Sequence, residues 1–106
     1  MSGPSIGLRL KVAFRLLSTD EGGRINAISD KYRPHCVVKD AGGETEINML
    51  QLRIRREVPP GGSDTGTLEF DVGIAALARA KLPPGADFTL VEGRKVVALG
   101  HVVAVE

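Results

Sequence analysis

The sequence is poor in the aromatic residues on which nucleic-acid bases stack. It has no tryptophan, one tyrosine (Tyr32) and three phenylalanines, which fall mostly at positions expected to face a core. Proteins that bind single-stranded nucleic acid usually stack successive bases on aromatic side chains. This composition therefore argues against binding by base stacking.

Cysteine is nearly absent as well. The only one, Cys36, cannot form a disulfide within the chain, which favours a reducing compartment and predicts a cytoplasmic protein. A chain of 106 residues is long enough to bury one hydrophobic core without such a crosslink. We therefore expect a single domain over residues 1–106.

No segment of the sequence has the character of a membrane anchor. The longest apolar run, Val96–Val105, includes Gly100 and His101 and is shorter than the about 20 residues that span a bilayer. The first residues, Met-Ser-Gly-Pro-Ser, lack the basic patch and apolar run of a signal peptide. The formal net charge of +1 gives no strong overall attraction to nucleic acid or anionic lipid, although a local basic patch remains an alternative. We expect no membrane partner.

Motifs for catalysis and cofactor binding are missing. The sequence has no Gly-x-x-x-x-Gly-Lys-Ser/Thr loop, so we expect no bound nucleotide and no GTP hydrolysis by that route. His35, Cys36 and His101 lack the spacing and the adjacent carboxylates of a metal site, and nothing in the sequence orients them as a nucleophile and its base. The sequence predicts no enzyme, no metal and no cofactor.

Alternation of apolar and polar residues predicts most of the secondary structure. Period-two patterns predict strands at 6–17, 35–39, 46–58, 67–72, 87–91 and 95–105. A slip in the pattern at Met49-Leu50 predicts a β-bulge, and the proline and glycine residues of 59–66 predict an exposed loop. Residues 74–82 are good helix formers that end at Pro83-Pro84-Gly85, which predicts one or two helical turns.

The last predicted strand is too apolar to lie at an exposed sheet edge. Pairing it with the first strand would remove both edges, which predicts an all-β fold of six or so strands in a sheet closed on itself as a barrel. We expect the short helix to plug one end of this barrel; the alternative is that its apolar residues form a docking surface.

The connection Asp20–Pro34, which we call the rim, is the first candidate for a functional surface. Gly22-Gly23 permits a tight turn, and Pro34 fixes the backbone at the other end. Between them lie four hydrogen-bonding side chains: Arg24, Lys31, Tyr32 and Arg33. Binding residues are often placed on loops that a rigid scaffold positions.

The sequence also carries a family resemblance. Its elements, in order, are Glu21-Gly22-Gly23-Arg24, Tyr32-Arg33-Pro34, Glu92-Gly93 and Gly100 within a valine-rich closing strand. In order and spacing they resemble the C-terminal β-barrel, the third domain, of elongation factor Tu and related translational GTPases, over roughly Leu8 to Val105. The resemblance implies a stand-alone domain without the GTPase domain: a single closed six-stranded antiparallel β-barrel of Greek-key type.

In that family the third barrel is not catalytic. It helps to grip the T arm of aminoacyl-tRNA, packs against the GTPase domain and offers a surface to the nucleotide-exchange factor. The resemblance implies that Arg24 matches an arginine lying against the tRNA backbone, and that Arg33 matches the arginine of the Tyr-Arg-Pro turn. The chain departs from the pattern at Ile25, where the family usually has histidine, at Lys95, where it has glycine, and in a longer segment before Gly93.

Two partners are compatible with this reading, a protein bound through the rim or a tRNA-like RNA. The residues predicted to bind either one are Arg24, Lys31, Tyr32, Arg33, Arg94 and Lys95. The structural alternative is that Arg24 and Arg33 hold the turn by binding loop carbonyls or pairing with Asp20, Glu21 or Asp30. A basic stripe on the strand faces would extend an RNA site, or be a solvated surface; its members are Arg9, Lys11, Arg15, Arg53 and Arg55.

Overall fold

The computed structural model describes residues 5–106, so Met1–Pro4, part of the stretch used for the signal-peptide prediction, lie outside it. The described chain forms one antiparallel sheet and one short helix. The strands are β1 (Ile6–Leu16), β2 (His35–Asp40), β3 (Gly43–Asn48), β4 (Gln51–Arg53), β5 (Ser63–Asp71), β6 (Asp87–Glu92) and β7 (Lys95–Val105), and the helix is α1 (Ala75–Lys81). The all-β prediction with one short helix is confirmed. Among these residues, no helix is long and apolar enough to cross a membrane.

The first strand is the centre of the sheet. β1 pairs with β5 on one side and with β7 on the other, both antiparallel. Its even-numbered residues from Leu8 to Leu16 are at most 4% exposed, while Arg9 and Lys11 face outward. This alternation follows from the period of two along a strand. The predicted pairing of the first strand with the last is confirmed, and so is the pairing of the last strand on both sides, because β7 also pairs with β6.

The prediction of a closed six-stranded barrel is wrong. The strand order is β3-β2-β6-β7-β1-β5-β4, a curled half-barrel of seven strands in which the outer strands β3 and β4 are not paired with each other. The cause lies at Met49-Leu50, where the predicted bulge is a full break in the strand. The segment before the break pairs with β2 and the segment after it pairs with β5.

Two other boundaries differ from prediction for reasons visible in the backbone. Residues 54–58 form no strand, because the amide of Ile54 donates to a carboxylate oxygen of Asp30 (2.9 Å) instead of to a ladder. Residues 63–66 were predicted to be a loop, but they are the first residues of β5 and pair with β1. On its other side this segment lies close to β4, where a Cβ atom on Gly66 would lie 2.7 Å from the carbonyl oxygen of Arg53.

The buried side chains of the sheet and helix form one hydrophobic core. It contains all three phenylalanines, Phe14, Phe70 and Phe88, as their positions in the strand pattern predicted. Helix α1 contacts β1 and β5, and it buries Ala78, with Leu82 at its C-terminal end also buried. The helix thus belongs to the core, while Leu77 on its other side is 38% exposed.

One residue of the rim has an unfavourable backbone conformation. Lys31 has φ = 66° and is the only non-glycine residue among 5–106 with positive φ. Flanking hydrogen bonds hold it there, from the Lys31 amide to the Leu52 carbonyl (3.1 Å) and from the Leu52 amide to the Tyr32 carbonyl (2.7 Å). A side chain with Cβ in this region costs roughly 1–2 kcal/mol.

We therefore expect Lys31→Gly to raise the free energy of unfolding by about 1 kcal/mol, since glycine adopts this conformation freely but loses more chain entropy on folding. Lys31→Ala is the matched control, because it removes the same side chain and keeps Cβ. Urea denaturation of the three proteins measures the difference. A glycine variant no more stable than the alanine variant would contradict the strain.

Candidate partner-binding rim

The rim begins with a turn that needs both of its glycines. Gly22 has φ = 89°, and Gly23 is so close to the preceding strand end that a Cβ atom would lie 2.3 Å from the carbonyl oxygen of Leu17. Glu21 closes the turn: its carboxylate accepts two hydrogen bonds from Arg15 (2.7 and 3.2 Å) and one from the Ser18 amide (2.8 Å). These bonds, with that of Arg15 the strongest, lower the pKa of Glu21 to about 2.

A cluster of three side chains ties the rim to the turn between β6 and β7. Glu92, at the end of β6, accepts hydrogen bonds from both the Arg24 guanidinium and the Tyr32 hydroxyl. The guanidinium carbon of Arg24 lies 5.1 Å from the centre of the Tyr32 ring, within range of a cation–π contact, and its Nε donates to the Asn26 carbonyl (3.2 Å). Burial of Tyr32, together with its bond to Glu92, raises the pKa of its hydroxyl well above the ordinary value.

The second half of the rim is attached to the segment after β4. Asp30 accepts hydrogen bonds from Arg53 (3.0 and 3.2 Å) and from the Ile54 amide, and its pKa is lowered mainly by Arg53. Ile28 and Val58 exchange backbone hydrogen bonds of 2.9 and 3.0 Å. Ile28 is only 1% exposed, so the rim, expected to be a connection outside the core, contributes one residue to it.

Four of the predicted binding residues are exposed and form no side-chain hydrogen bond or ion pair within residues 5–106: Lys31, Arg33, Arg94 and Lys95. Lys31 and Arg33 flank Tyr32 in the chain, while Arg94 and Lys95 follow Glu92, and Lys95 is the register partner of Glu92. The Arg24–Glu92–Tyr32 cluster therefore joins the two groups of cations.

The most exposed large apolar side chain among the described residues also lies in the rim. Ile25, next to Arg24, is 79% exposed. Sequence reasoning noted Ile25 only as a departure from the family pattern. Single exposed apolar side chains are common on protein surfaces, so Ile25 bears on binding only through its place beside the cations of the rim.

The predicted basic stripe is largely neutralised by acidic neighbours. Arg9 pairs with Glu69 (3.0 Å) and Arg15 with Glu21, and Arg53 pairs with Asp30. Of its five members, only Lys11 and Arg55 are outside any ion pair in the described chain. Sequence could not show the pairs of Arg9 and Arg53, because their partners lie 60 and 23 residues away along the chain.

The residues considered for metal or nucleophilic chemistry are not assembled into a site. No group of three or more His, Cys, Asp or Glu side chains in residues 5–106 is arranged to hold a metal ion. Cys36 is fully buried, and burial raises the pKa of its thiol to about 12. His35 lies on β2 beside Glu46 (2.9 Å) and Asn48 (3.1 Å), whereas His101 is exposed on β7.

Comparison with known proteins relates the chain to a translation factor. No family model matches the chain. Over 98 residues the chain is 31% identical to Elongation factor Tu 2 of Streptomyces avermitilis, a match that covers 92% of this chain and 23% of that protein. The chain is similar to part of elongation factor Tu. It spans about a quarter of the length of this curated relative, and the resemblance inferred from the sequence is confirmed.

The main residue of the rim that sequence reasoning missed is Glu92. The sequence marked Glu92 only as part of a turn motif, and the structural alternative for the rim arginines named loop carbonyls, Asp20, Glu21 or Asp30 as their partners. Instead Arg24 pairs across the fold with Glu92, while Glu21 and Asp30 bind Arg15 and Arg53. An acidic residue beside the glycine of a predicted hairpin was the available signal.

We expect Glu92→Gln to lower the free energy of unfolding by about 1 kcal/mol, because it removes the charge that Arg24 and Tyr32 share in a partly exposed site. Glu57→Gln, at an exposed position with no side-chain partner in the described chain, is the control and should change stability by less than about 0.5 kcal/mol. Urea denaturation measures both. Equal effects would show that the cluster adds nothing to stability.

Acid should weaken the attachment of the rim. Glu21 and Asp30 have lowered pKa values in the folded chain, so each stabilises the fold above its unfolded pKa and loses that contribution as the pH falls through the folded one. We expect stability to decline for Glu21 between about pH 4.5 and 2. Glu21→Gln should flatten this decline in thermal melts, and an unchanged slope would contradict the assignment.

Proposed function

We propose that this chain is a non-catalytic binding module of the translation-factor type, and that its ligand is a protein partner held at the rim and the adjoining β6–β7 turn. The coarse assignment is supported by the likeness to elongation factor Tu. The observation that carries the finer one is Ile25, 79% exposed on a loop that ion pairs and backbone bridges hold in place.

The physical case rests on preorganisation. A loop already fixed by the Arg24–Glu92–Tyr32 cluster and by Asp30 loses little conformational freedom on binding. Interfaces of this type place an apolar anchor at the centre and polar groups around it. Ile25 supplies the anchor, and the free cations of the rim suit a partner with an acidic surface around an apolar pocket.

An RNA ligand is the second candidate, favoured by one observation. Lys31, Arg33, Arg94 and Lys95 are exposed cations without acidic partners in the described chain, and Arg33 offers a planar fork that fits phosphate oxygens. Ile25 adds nothing to such a complex. The family resemblance of the chain implied that Arg24 contacts tRNA, but in this structure its guanidinium pairs with Glu92.

The protein reading predicts that binding depends on Ile25. The tagged chain and its variants are used to capture proteins from an extract, and any specific partner is then purified and titrated. We expect Ile25→Ser to weaken that complex at least tenfold. The control is Val72→Ser, which removes another exposed β-branched apolar side chain (59% exposed) and should leave the affinity unchanged. A partner that binds both variants alike would overturn the role of Ile25.

The RNA reading predicts a salt-dependent affinity for bulk tRNA. Each neutralised phosphate steepens the fall of affinity with salt, so binding should drop strongly between about 50 and 200 mM salt and weaken further in Arg33→Gln and Arg94→Gln. Arg79→Gln, an exposed arginine on α1, is the charge-matched control. No binding above background removes the RNA candidate, while tRNA binding unaffected by Ile25→Ser favours it over a protein partner.

A further inference from the structure

The outer face of the sheet carries two neighbouring rows of side chains across β4, β5 and β1. In the first row, Gln51, Glu69 and Arg9 are register partners. Glu69 lies in the middle, with its side chain 5% exposed, and accepts hydrogen bonds from Arg9 Nε (3.0 Å) and Gln51 Nε2 (2.8 Å). An anion on the middle strand is thus held by donors from both flanking strands.

The second row repeats this arrangement without an acid in the middle. Arg53 and Lys11 are the register partners of Thr67, which takes the place that Glu69 has in the first row. Neighbouring strands are about 4.8 Å apart, so the Cα atoms of Arg53 and Lys11 are separated by about 10 Å and both long side chains can reach over Thr67. The flanking cations are present, but the strand between them supplies only a hydroxyl.

This second row lines a cleft of about 520 Å³. Its charged side chains are four cations, Lys11, Arg53, Arg55 and Arg56, and two carboxylates, Asp64 and Glu106, which leaves a net charge of +2. Arg53 also binds Asp30, and Arg56 lies 3.9 Å from Asp64. Lys11 and Arg55 form no ion pair within residues 5–106.

An anionic group already occupies part of the cleft. Oε1 of Glu106 accepts a hydrogen bond from the Thr67 hydroxyl (3.1 Å), so a carboxylate lies above the middle strand, as in the first row. Unlike Glu69, Glu106 is exposed and forms no ion pair with Lys11 or Arg53. A ligand anion that engaged both cations would replace a weak contact with stronger ones.

We propose that this cleft binds the phosphate group of a small phosphorylated organic molecule. Arginine forks and a lysine ammonium suit a tetrahedral dianion, and the Thr67 hydroxyl donates a further hydrogen bond to it. The carboxylates of Asp64 and Glu106 accept hydrogen bonds from hydroxyl or amino groups on the remainder of the ligand. They also repel a continuous polyanion, which favours a single phosphate over a nucleic-acid backbone. The cleft adjoins the rim through the Arg53–Asp30 pair, but the proposal uses neither Ile25 nor the partner of the rim.

The site is tested by NMR titration of the full chain. Amide spectra are recorded as inorganic phosphate or glycerol 3-phosphate is added at constant ionic strength. We expect saturable shifts at the amides of Thr65, Gly66 and Thr67, with glycerol 3-phosphate binding more tightly than phosphate. Lys11→Gln and Arg55→Gln should each weaken binding at least fivefold, whereas Arg79→Gln, which removes the same charge outside the cleft, should not. Arg55→Lys should restore part of the affinity.

Several results would overturn the proposal. The first is an absence of saturable shifts in a chain that melts cooperatively and is therefore folded. The second is a loss of affinity in Arg79→Gln equal to that in Lys11→Gln or Arg55→Gln. The third is an affinity for glycerol 3-phosphate no higher than that for inorganic phosphate. Binding of bulk tRNA that requires Lys11 and Arg55, without saturable binding of either small ligand, would assign the cleft to a nucleic-acid backbone instead. Loss of the rim partner on Ile25→Ser leaves this test unaffected.

Discussion

The pairing of β1 with a strand on each side is the constraint on which the rest of the structure depends. Its eleven residues pair with β5 on one side and β7 on the other, so segments that are far apart in the chain become neighbours through this one strand. Its inward residues form the middle of the core, and its outward residues set which charges meet. Arg9 reaches Glu69, Arg15 reaches Glu21 at the start of the rim, and Lys11 faces Thr67. Both candidate sites therefore inherit their geometry from the register of β1.

Glu92 has the corresponding role for the rim. One carboxylate at the end of β6 receives hydrogen bonds from Arg24 and Tyr32, and it stands immediately before the turn that carries Arg94 and Lys95. The loop after β1 and the hairpin between β6 and β7 thus form one surface. The arginine that the family resemblance singled out is mainly a positioning residue here, and the exposed groups around it are the ones available to a ligand.

Sequence was sufficient where local patterning decides the structure. The alternation in β1, the valine-rich closing strand, the Gly93 turn and the short helix before Pro83 were all predicted close to their observed bounds. It failed where a distant contact competes with local preference. Asp30 captures the Ile54 amide and ends a strand early, while pairing with β1 draws Ser63–Gly66 into β5 in spite of their loop-like composition. The break at Met49-Leu50 changed the topology, and ion-pair partners such as Glu92 and Glu69 could not be assigned before the register was known.

The solitary thiol of the chain has a use that its burial creates. Cys36 is completely enclosed on β2, between register partners on β3 and β6, and its high pKa keeps it protonated at neutral pH. A thiol reagent can reach it only when these strands separate. The alkylation rate of Cys36 in the native protein therefore measures how often the sheet opens near its β3 edge, without any added label.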